Sequence, residues 1–238
     1  HLLHFLMGAE VKVARPEHVE DVIEETMRQL REKGHNPFRA EVTGSTPPGV
    51  AGYMNCILEI MTQAVEMELK PDYVVHTSGS GGTQAGLVIG AKAFSTGIKV
   101  LASTSGSDAY EDQIEKVYNI VQEGLQHMEM DLEISRDEIN VYDQYAGDGY
   151  GYMSENKVEA VNMLAKTEGL FIDPVYTATS VSCLIDLTRQ GFFNKDDSVI
   201  FIHTGGTPAL FLYKEPFKTY NLEGSIPWII PSWSPDIG

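Results

Sequence analysis

The sequence predicts an α/β fold in which helices flank an open, mostly parallel sheet. Three observations predict it. Helical and extended segments alternate along the chain, the connections between them are short, and the extended runs at 73–75 and 199–202 lack polar alternation. Strands covered on both faces read this way, and short alternating connections favour parallel pairing.

Taken in order, Val19, Val22, Ile23, Met27 and Leu30 recur at helical spacing and predict a helix over 16–33. Pro16 suits its first turn and Gly34 its stop. A short strand is expected at 38–42 and a loop at 44–49, followed by a helix over 50–69 that is apolar on much of its circumference. A strand at 73–77, a glycine loop, a helix through Phe94 and a strand at 99–102 come next. The pattern then predicts a helix over 110–130, a strand at 139–142 and a loop of tyrosines and glycines at 145–152. Ser154 caps a helix that runs to Thr167; a short extended piece at 171–172, a helix over 181–189 and a strand at 198–203 complete the fold. Residues 1–50 are expected to form the remainder of a small domain with a crossover, 51–213 the large domain, and 214–238 a C-terminal extension. The chain starts with His1 in an apolar stretch without a basic leader, which does not read as a signal peptide but as the middle of a helix inside a longer protein.

Of the 238 residues, 17 are basic and 34 acidic, for a formal charge of −17. Nucleic acid needs clustered Lys and Arg, so it is excluded as a partner, and an anionic membrane surface is disfavoured for the same reason. No apolar run approaches the ~20 residues that span a bilayer. The acidic stretch over 108–168 reads as solvated helix faces. Cys56 and Cys183 form no disulfide framework or metal cluster; each lies in an apolar helical run and is expected to be a buried thiol in a reducing compartment, the cytoplasm.

The chemistry concentrates at Ser78-Gly79-Ser80-Gly81-Gly82-Thr83. A glycine turn between a strand and a helix points backbone N–H groups inward, and the helix N-terminus adds positive potential, so the loop can hold a phosphate without a basic side chain. Gln84 follows where a nucleoside-triphosphate loop would need its Gly-Lys-Ser/Thr ending complete. A dinucleotide fingerprint wants a third glycine at Gln84 and an acid about 20 residues on, where Ser103, Thr104 and Ser105 stand. A small phosphate-bearing cofactor such as pyridoxal phosphate fits better. A nicotinamide site and a tight turn that binds nothing remain as alternatives.

The run from His76 to Gly86 resembles the phosphate loop of the D-cysteine desulfhydrase and 1-aminocyclopropane-1-carboxylate deaminase family, pyridoxal-phosphate enzymes of the tryptophan-synthase-β-like fold (fold type II). Three further stretches match in order: Gly147-Asp148-Gly149-Tyr150-Gly151, the segment from Glu168 to Thr177 containing Asp173-Pro174-Val175-Tyr176, and the segment from Phe201 to Phe211 containing His203-Thr204-Gly205-Gly206. The resemblance covers residues 1–213 and implies a homodimer acting on a small amino acid. It implies that Ser78, Gly79, Ser80, Gly81, Gly82 and Thr83 cradle the cofactor phosphate, that Thr204 meets the ring nitrogen, and that Gly205 lets the backbone approach the ring. Thr177 joins this cofactor-binding set, Tyr176 and Tyr150 match the active-site tyrosines, and no metal is implied. His76 and His203 are expected in core or supporting positions.

Two departures shape the expectation. The family usually continues Tyr-x-Gly-Lys, and this chain reads Tyr176-Thr177-Ala178-Thr179; its deaminase branch carries Glu where Thr177 stands, which favours a desulfhydrase-like activity or a cysteate lyase. The family's cofactor-bearing lysine has no counterpart among the 11 lysines, and Lys92, Lys99, Lys157 and Lys166 read as surface charges. The expectation is therefore a chain that begins partway through a pyridoxal-phosphate-dependent lyase or deaminase. The alternative is a non-catalytic module that binds the cofactor or another phosphate ligand.

Overall fold

The computed structural model describes residues 2–106, 109–213 and 215–217. The chain divides into two compact units, His1–Val42 and Thr43–Gly238, so the stretch grouped as 1–50 from the sequence parts at Val42. The first unit holds helix α1 (Leu2–Leu6) and helix α2 (Val19–Glu32), the latter entered through a single 3-10 turn at Pro16–His18. Neither helix buries a residue. The strand expected at 38–42 does not form; 35–41 is irregular. A strand needs a neighbour to bond, and the described sheet lies wholly in the second unit.

The second unit opens with helix α3 (Pro47–Glu66), which starts on two prolines rather than at Val50, as suits a first helical turn. Strand β1 (Pro71–Ser78), helix α4 (Gly82–Ala93), strand β2 (Lys99–Thr104), helix α5 (Tyr110–His127) and strand β3 (Asn140–Tyr142) follow in strict alternation. Helix α6 (Glu155–Thr167), helix α7 (Thr177–Arg189) and strand β4 (Ser198–Phe201) end the framework. The sheet has the order β3-β2-β1-β4 with every pair parallel. That is the open parallel α/β fold the alternation predicts. Helix α7 starts four residues before the expected Val181, for a reason found at Asp173 below. Residues 218–238 of the expected C-terminal extension lie outside the described residues.

Both faces of the sheet are covered. Val74 enters a core with Val50, Ile57, Leu87, Ile89 and Val117 from α3, α4 and α5, while Tyr73 and Val75 enter a second core with Cys183 and Leu187 of α7. This two-sided burial explains the unbroken apolar run in β1. Helix α3 is less enclosed than its composition suggests: only Val50, Ile57 and Ala64 are buried, a single seam, and Leu58 and Val65 face outward.

The contact between α3 and α4 depends on two glycines. A Cβ at Gly86 would lie 2.5 Å from the Val50 carbonyl oxygen, and one at Gly90 would lie 2.8 Å from that of Met54. Backbone cannot yield as a side chain can. Alanine would gain about 1 kcal/mol of helix propensity at Gly86, but overpacking against backbone costs about 2–3 kcal/mol. The expected result for Gly86→Ala is net destabilisation, read as a lower urea midpoint with an unchanged m-value.

Candidate active site

The strands deliver their carboxyl ends to one edge of the sheet, and three loops converge there. The first is the glycine loop between β1 and α4. Ser78 is buried and accepts a hydrogen bond from Gln113 Nε2 at 2.9 Å, while Lys116 Nζ donates to the Gly79 carbonyl at 3.3 Å. Ser45 braces the other side: its hydroxyl donates to Ser80 Oγ at 2.7 Å and accepts from the Gly82 amide at 3.2 Å. Gly81 has φ +92°, and its Cβ would sit 3.0 Å from Ile120, so this position needs a residue at ease in the left-handed region. A Cβ at Gly82 would be 2.7 Å from Ser45 Oγ.

The second loop is 145–152. Gly147, Gly149 and Gly151 all have positive φ, and Gly149 lies against Gly106 just beyond β2, where a Cβ would meet the Gly149 carbonyl carbon at 3.0 Å. Tyr150 rises from this loop and its hydroxyl bonds to that of Tyr176, with ring centroids 5.8 Å apart and edge-on. A Cβ at Gly79 would be 3.8 Å from Tyr176 Cε1, so Tyr176 links the phenol pair to the glycine loop. Both rings keep solvent access, Tyr150 at 58% and Tyr176 at 37% exposure. The bond to Tyr150 and partial burial push the Tyr176 phenol up to about 12. It is therefore a group that stays protonated and donates, not a ready base.

The third loop leads into α7 and holds the residue that sequence reasoning left without a role. Asp173 is fully buried. Its carboxylate accepts from the amides of Val175, Tyr176 and Thr177 at 2.8, 2.8 and 2.9 Å and from Thr177 Oγ1 at 2.7 Å. First-turn N–H groups have no partner within a helix, and this carboxylate supplies one, which is why α7 begins at Thr177. Thr177, assigned to the cofactor by resemblance, is buried and bonded on both sides to Asp173, so its hydroxyl orders the helix start. Four hydroxyls then tie α7 to the sheet: Thr77 Oγ1 reaches Ser180 Oγ at 2.8 Å and Thr179 Oγ1 at 3.2 Å, and Ser103 Oγ reaches Thr179 Oγ1 at 3.0 Å. The signal for Asp173 was an acid four residues before a Thr/Ser-rich helix start.

The remaining predicted residues lie on the turn after β4. Val75 pairs with Phe201, so Thr204 and Ser78 stand the same three residues beyond paired positions on adjacent strands. Thr204 is exposed; Gly205 donates its amide to His203 Nδ1 at 3.1 Å, and His203 Nε2 donates to the Phe171 carbonyl at 3.0 Å. Gly206 packs on Asp173, with a built Cβ only 2.6 Å from its carboxylate. His203 is thus exposed and structural, whereas His76 is fully buried in β1.

A second sequence expectation fails outright, after the strand at 38–42. Lys157 is not a surface charge but the largest fully buried side chain among the described residues; its ammonium donates to the carbonyls of Ala146 and Tyr152 at 2.7 and 2.8 Å. Its periodicity held the signal, since Lys157, Ala160, Val161 and Leu164 fall on one helix face. Lys92, Lys99 and Lys166 are exposed as expected. Cys183 is buried and its thiol is pushed up to about 12, and the half-buried Cys56 thiol is also raised, mainly by burial in both cases. Neither is a nucleophile at neutral pH. No group of three or more His, Cys, Asp or Glu side chains among the described residues could hold a metal ion, and no described helix is long and apolar enough to cross a membrane.

The geometry fits a pyridoxal phosphate site. The α4 N-terminus presents amides without helical partners, and the Ser80 and Thr83 hydroxyls stand beside them at the solvent-accessible edge of the sheet. Thr104 Oγ1, one strand over from Ser78, is buried without a hydrogen-bond partner. Ser78–Thr83 could hold the phosphate, and Thr204 and Gly205 could meet the ring.

Comparison with known proteins agrees with this geometry. The crystal structure of an ACC deaminase homologue superposes with a TM-score of 0.75 at 28% identity, over 91% of this chain and 65% of that one. The chain therefore spans less than two thirds of that relative's length. O-ureido-L-serine synthase (TM-score 0.56, 14% identity, 95% of this chain and 67% of that one) and serine racemase from Dictyostelium discoideum (0.54, 18%, 84% and 62%) share the fold. The family model for "pyridoxal-phosphate dependent enzyme" matches residues 4–205. Fold, phosphate loop and family match coincide, and the chain belongs to the pyridoxal-phosphate dependent enzyme family.

Proposed function

We propose that this chain is the cofactor-binding part of a lyase that removes a β-leaving group from a small amino acid, in the manner of a D-cysteine desulfhydrase, releasing pyruvate, ammonia and sulfide. The observation that carries the reading is the hydroxyl pair of Tyr150 and Tyr176 beside the glycine loop. Bound there, the cofactor supplies an electron sink for charge developing at the substrate α-carbon. Ser78–Thr83 bind its phosphate through amides and hydroxyls, and Thr204 meets its ring nitrogen without adding a charge. Tyr176, held protonated, donates its hydrogen bond to the Tyr150 hydroxyl, and the solvent-exposed Tyr150 gives its own proton to the leaving group and regains one from water. The cofactor-bearing lysine lies, in this reading, in the part of the relative's length that this chain does not span. The enzyme works as a cytoplasmic homodimer.

Thr177, in place of the glutamate of the deaminase branch, supports β-elimination over ring opening of 1-aminocyclopropane-1-carboxylate. Assay of the whole protein with both substrates tests this. Sulfide and pyruvate from D-cysteine are expected. Release of 2-oxobutyrate from the cyclopropane substrate without sulfide would instead place it in the deaminase branch. Cofactor capture without turnover is the second reading, favoured by the burial of Lys157 on two carbonyls. Either reading predicts that Gly82→Val, which drives a side chain into Ser45, weakens pyridoxal phosphate binding by about tenfold or more. Fluorescence titration of the 238-residue chain reads it.

A further inference from the structure

The buried lysine of α6 has a use that the cofactor chemistry does not explain. Between the two carbonyls it binds, Ala146 and Tyr152, lies the loop with Gly147, Gly149 and Gly151 at φ +78°, +155° and +74°. Glycine loses more backbone freedom on ordering than any other residue, so a segment with three of them is costly to fix. One ammonium closes it at both ends, and charged donors make stronger bonds than neutral ones. Among the described residues its other bonds include Tyr152 N donating to the Gly149 carbonyl at 3.0 Å and Tyr213 OH to that of Gly151 at 2.9 Å. Tyr150 sits inside the closed segment with its hydroxyl on Tyr176.

The opposite charge does the matching task from the other side. Asp173 accepts from the Tyr176 amide at 2.8 Å; burial pushes the Lys157 ammonium down to about 8, and the negative charge of Asp173 opposes that shift. The two tyrosines are thus placed by two buried ions of opposite sign. An unpaired buried ammonium would be costly; two carbonyls and one carboxylate offset that cost here.

We propose that Lys157 is a positioning residue that closes the 146–152 loop and thereby sets the Tyr150 hydroxyl on Tyr176. The catalytic consequence rests on the tyrosine pair facing substrate as described above, but the positioning itself does not, and it is tested on the cofactor-free chain. Loss of the ammonium's charge does not by itself undo the clamp, because a neutral amine keeps two N–H donors for two carbonyls.

The test uses chain labelled with 13Cζ-tyrosine at pH 7, with Tyr150→Phe and Tyr176→Phe to assign the two resonances. In Lys157→Met the Tyr176 resonance is expected to move to its Tyr150→Phe position, while Tyr145, whose hydroxyl is bonded to Asp186 and not to the phenol pair, stays in place. Adding Lys157→Met to Tyr150→Phe should then leave Tyr176 unmoved, because both changes act through one contact. Amide exchange over 147–152 should accelerate about tenfold or more. A native Tyr145 signal with Tyr176 unshifted in Lys157→Met would overturn the proposal, whatever the enzyme's activity. Should that variant not fold, the unmutated chain decides: the Lys157 ammonium should show hydrogen-bond couplings to the carbonyl carbons of both Ala146 and Tyr152, and their absence refutes the clamp.

Discussion

Asp173→Ala is expected to unfold this chain at denaturant concentrations where the wild type is intact, with a stability loss of about 4 kcal/mol or more. The magnitude follows from the count of stranded donors. Three amides and one hydroxyl end on this fully buried carboxylate, and each buried donor left unsatisfied costs about 1–3 kcal/mol. Rearrangement of the turn recovers part of that sum, which keeps the expected figure near its lower half. The damage should reach function directly, since the same change frees the Tyr176 amide and removes the surface on which Gly206 rests. Asp173→Asn retains one acceptor oxygen but turns an N–H₂ toward the amides, so about half the loss is expected. Combining Asp173→Ala with Lys157→Met should cost less than the two losses added, because no buried ion is then left without its opposite. Urea unfolding followed by circular dichroism measures all of these, and a loss under about 1 kcal/mol in the single alanine variant would mean that the carboxylate does not anchor α7.

What the sequence disclosed and what it hid divide along a physical line. Segments whose burial is apolar were legible. The unbroken run in β1, the alternation with helices, and the glycine turn before α4 each leave a local pattern, and together they define the fold and the phosphate loop. Features built by polar groups at long range were not. Thr177, Thr179 and Ser180 fell outside the helix expected over 181–189, because hydroxyls favour turns; in the structure each finds a partner on Asp173 or the sheet, so the helix absorbs them. Lys157 read as surface because a buried ammonium is rare, and only its two carbonyl partners make the burial intelligible. The expected strand at 38–42 has the right composition but finds no partner, and pairing, not propensity, makes a strand.

Acid should loosen the site through His76 before it affects most of the carboxylate pairs. The imidazole is fully buried in β1, and its Nδ1 donates to the Thr77 carbonyl at 3.1 Å, since a carbonyl can only accept. The second proton would have to go on Nε2, which is buried with no hydrogen-bond partner. Burial accordingly pushes His76 down from 6.5 to about 4. The sign follows from proton counts: between these values the unfolded chain holds a proton on this residue and the folded chain does not, so stability falls as pH falls. At ~1.36 kcal/mol per unit, the loss from this one residue comes to about 3 kcal/mol across the window. Glu115 and Glu138, held below 4.5 by Arg136 and Lys92, surrender their contributions only at lower pH, and their pairs are at or near the surface. Urea midpoints at pH 7 and 4.5 should therefore separate widely for the wild type and converge for His76→Leu; equal shifts in both proteins would remove His76 as the cause. Because His76 lies two residues before Ser78 on the strand that carries the glycine loop, affinity for pyridoxal phosphate should decline over the same range, and the leucine variant should hold its affinity at pH values where the wild type releases the cofactor.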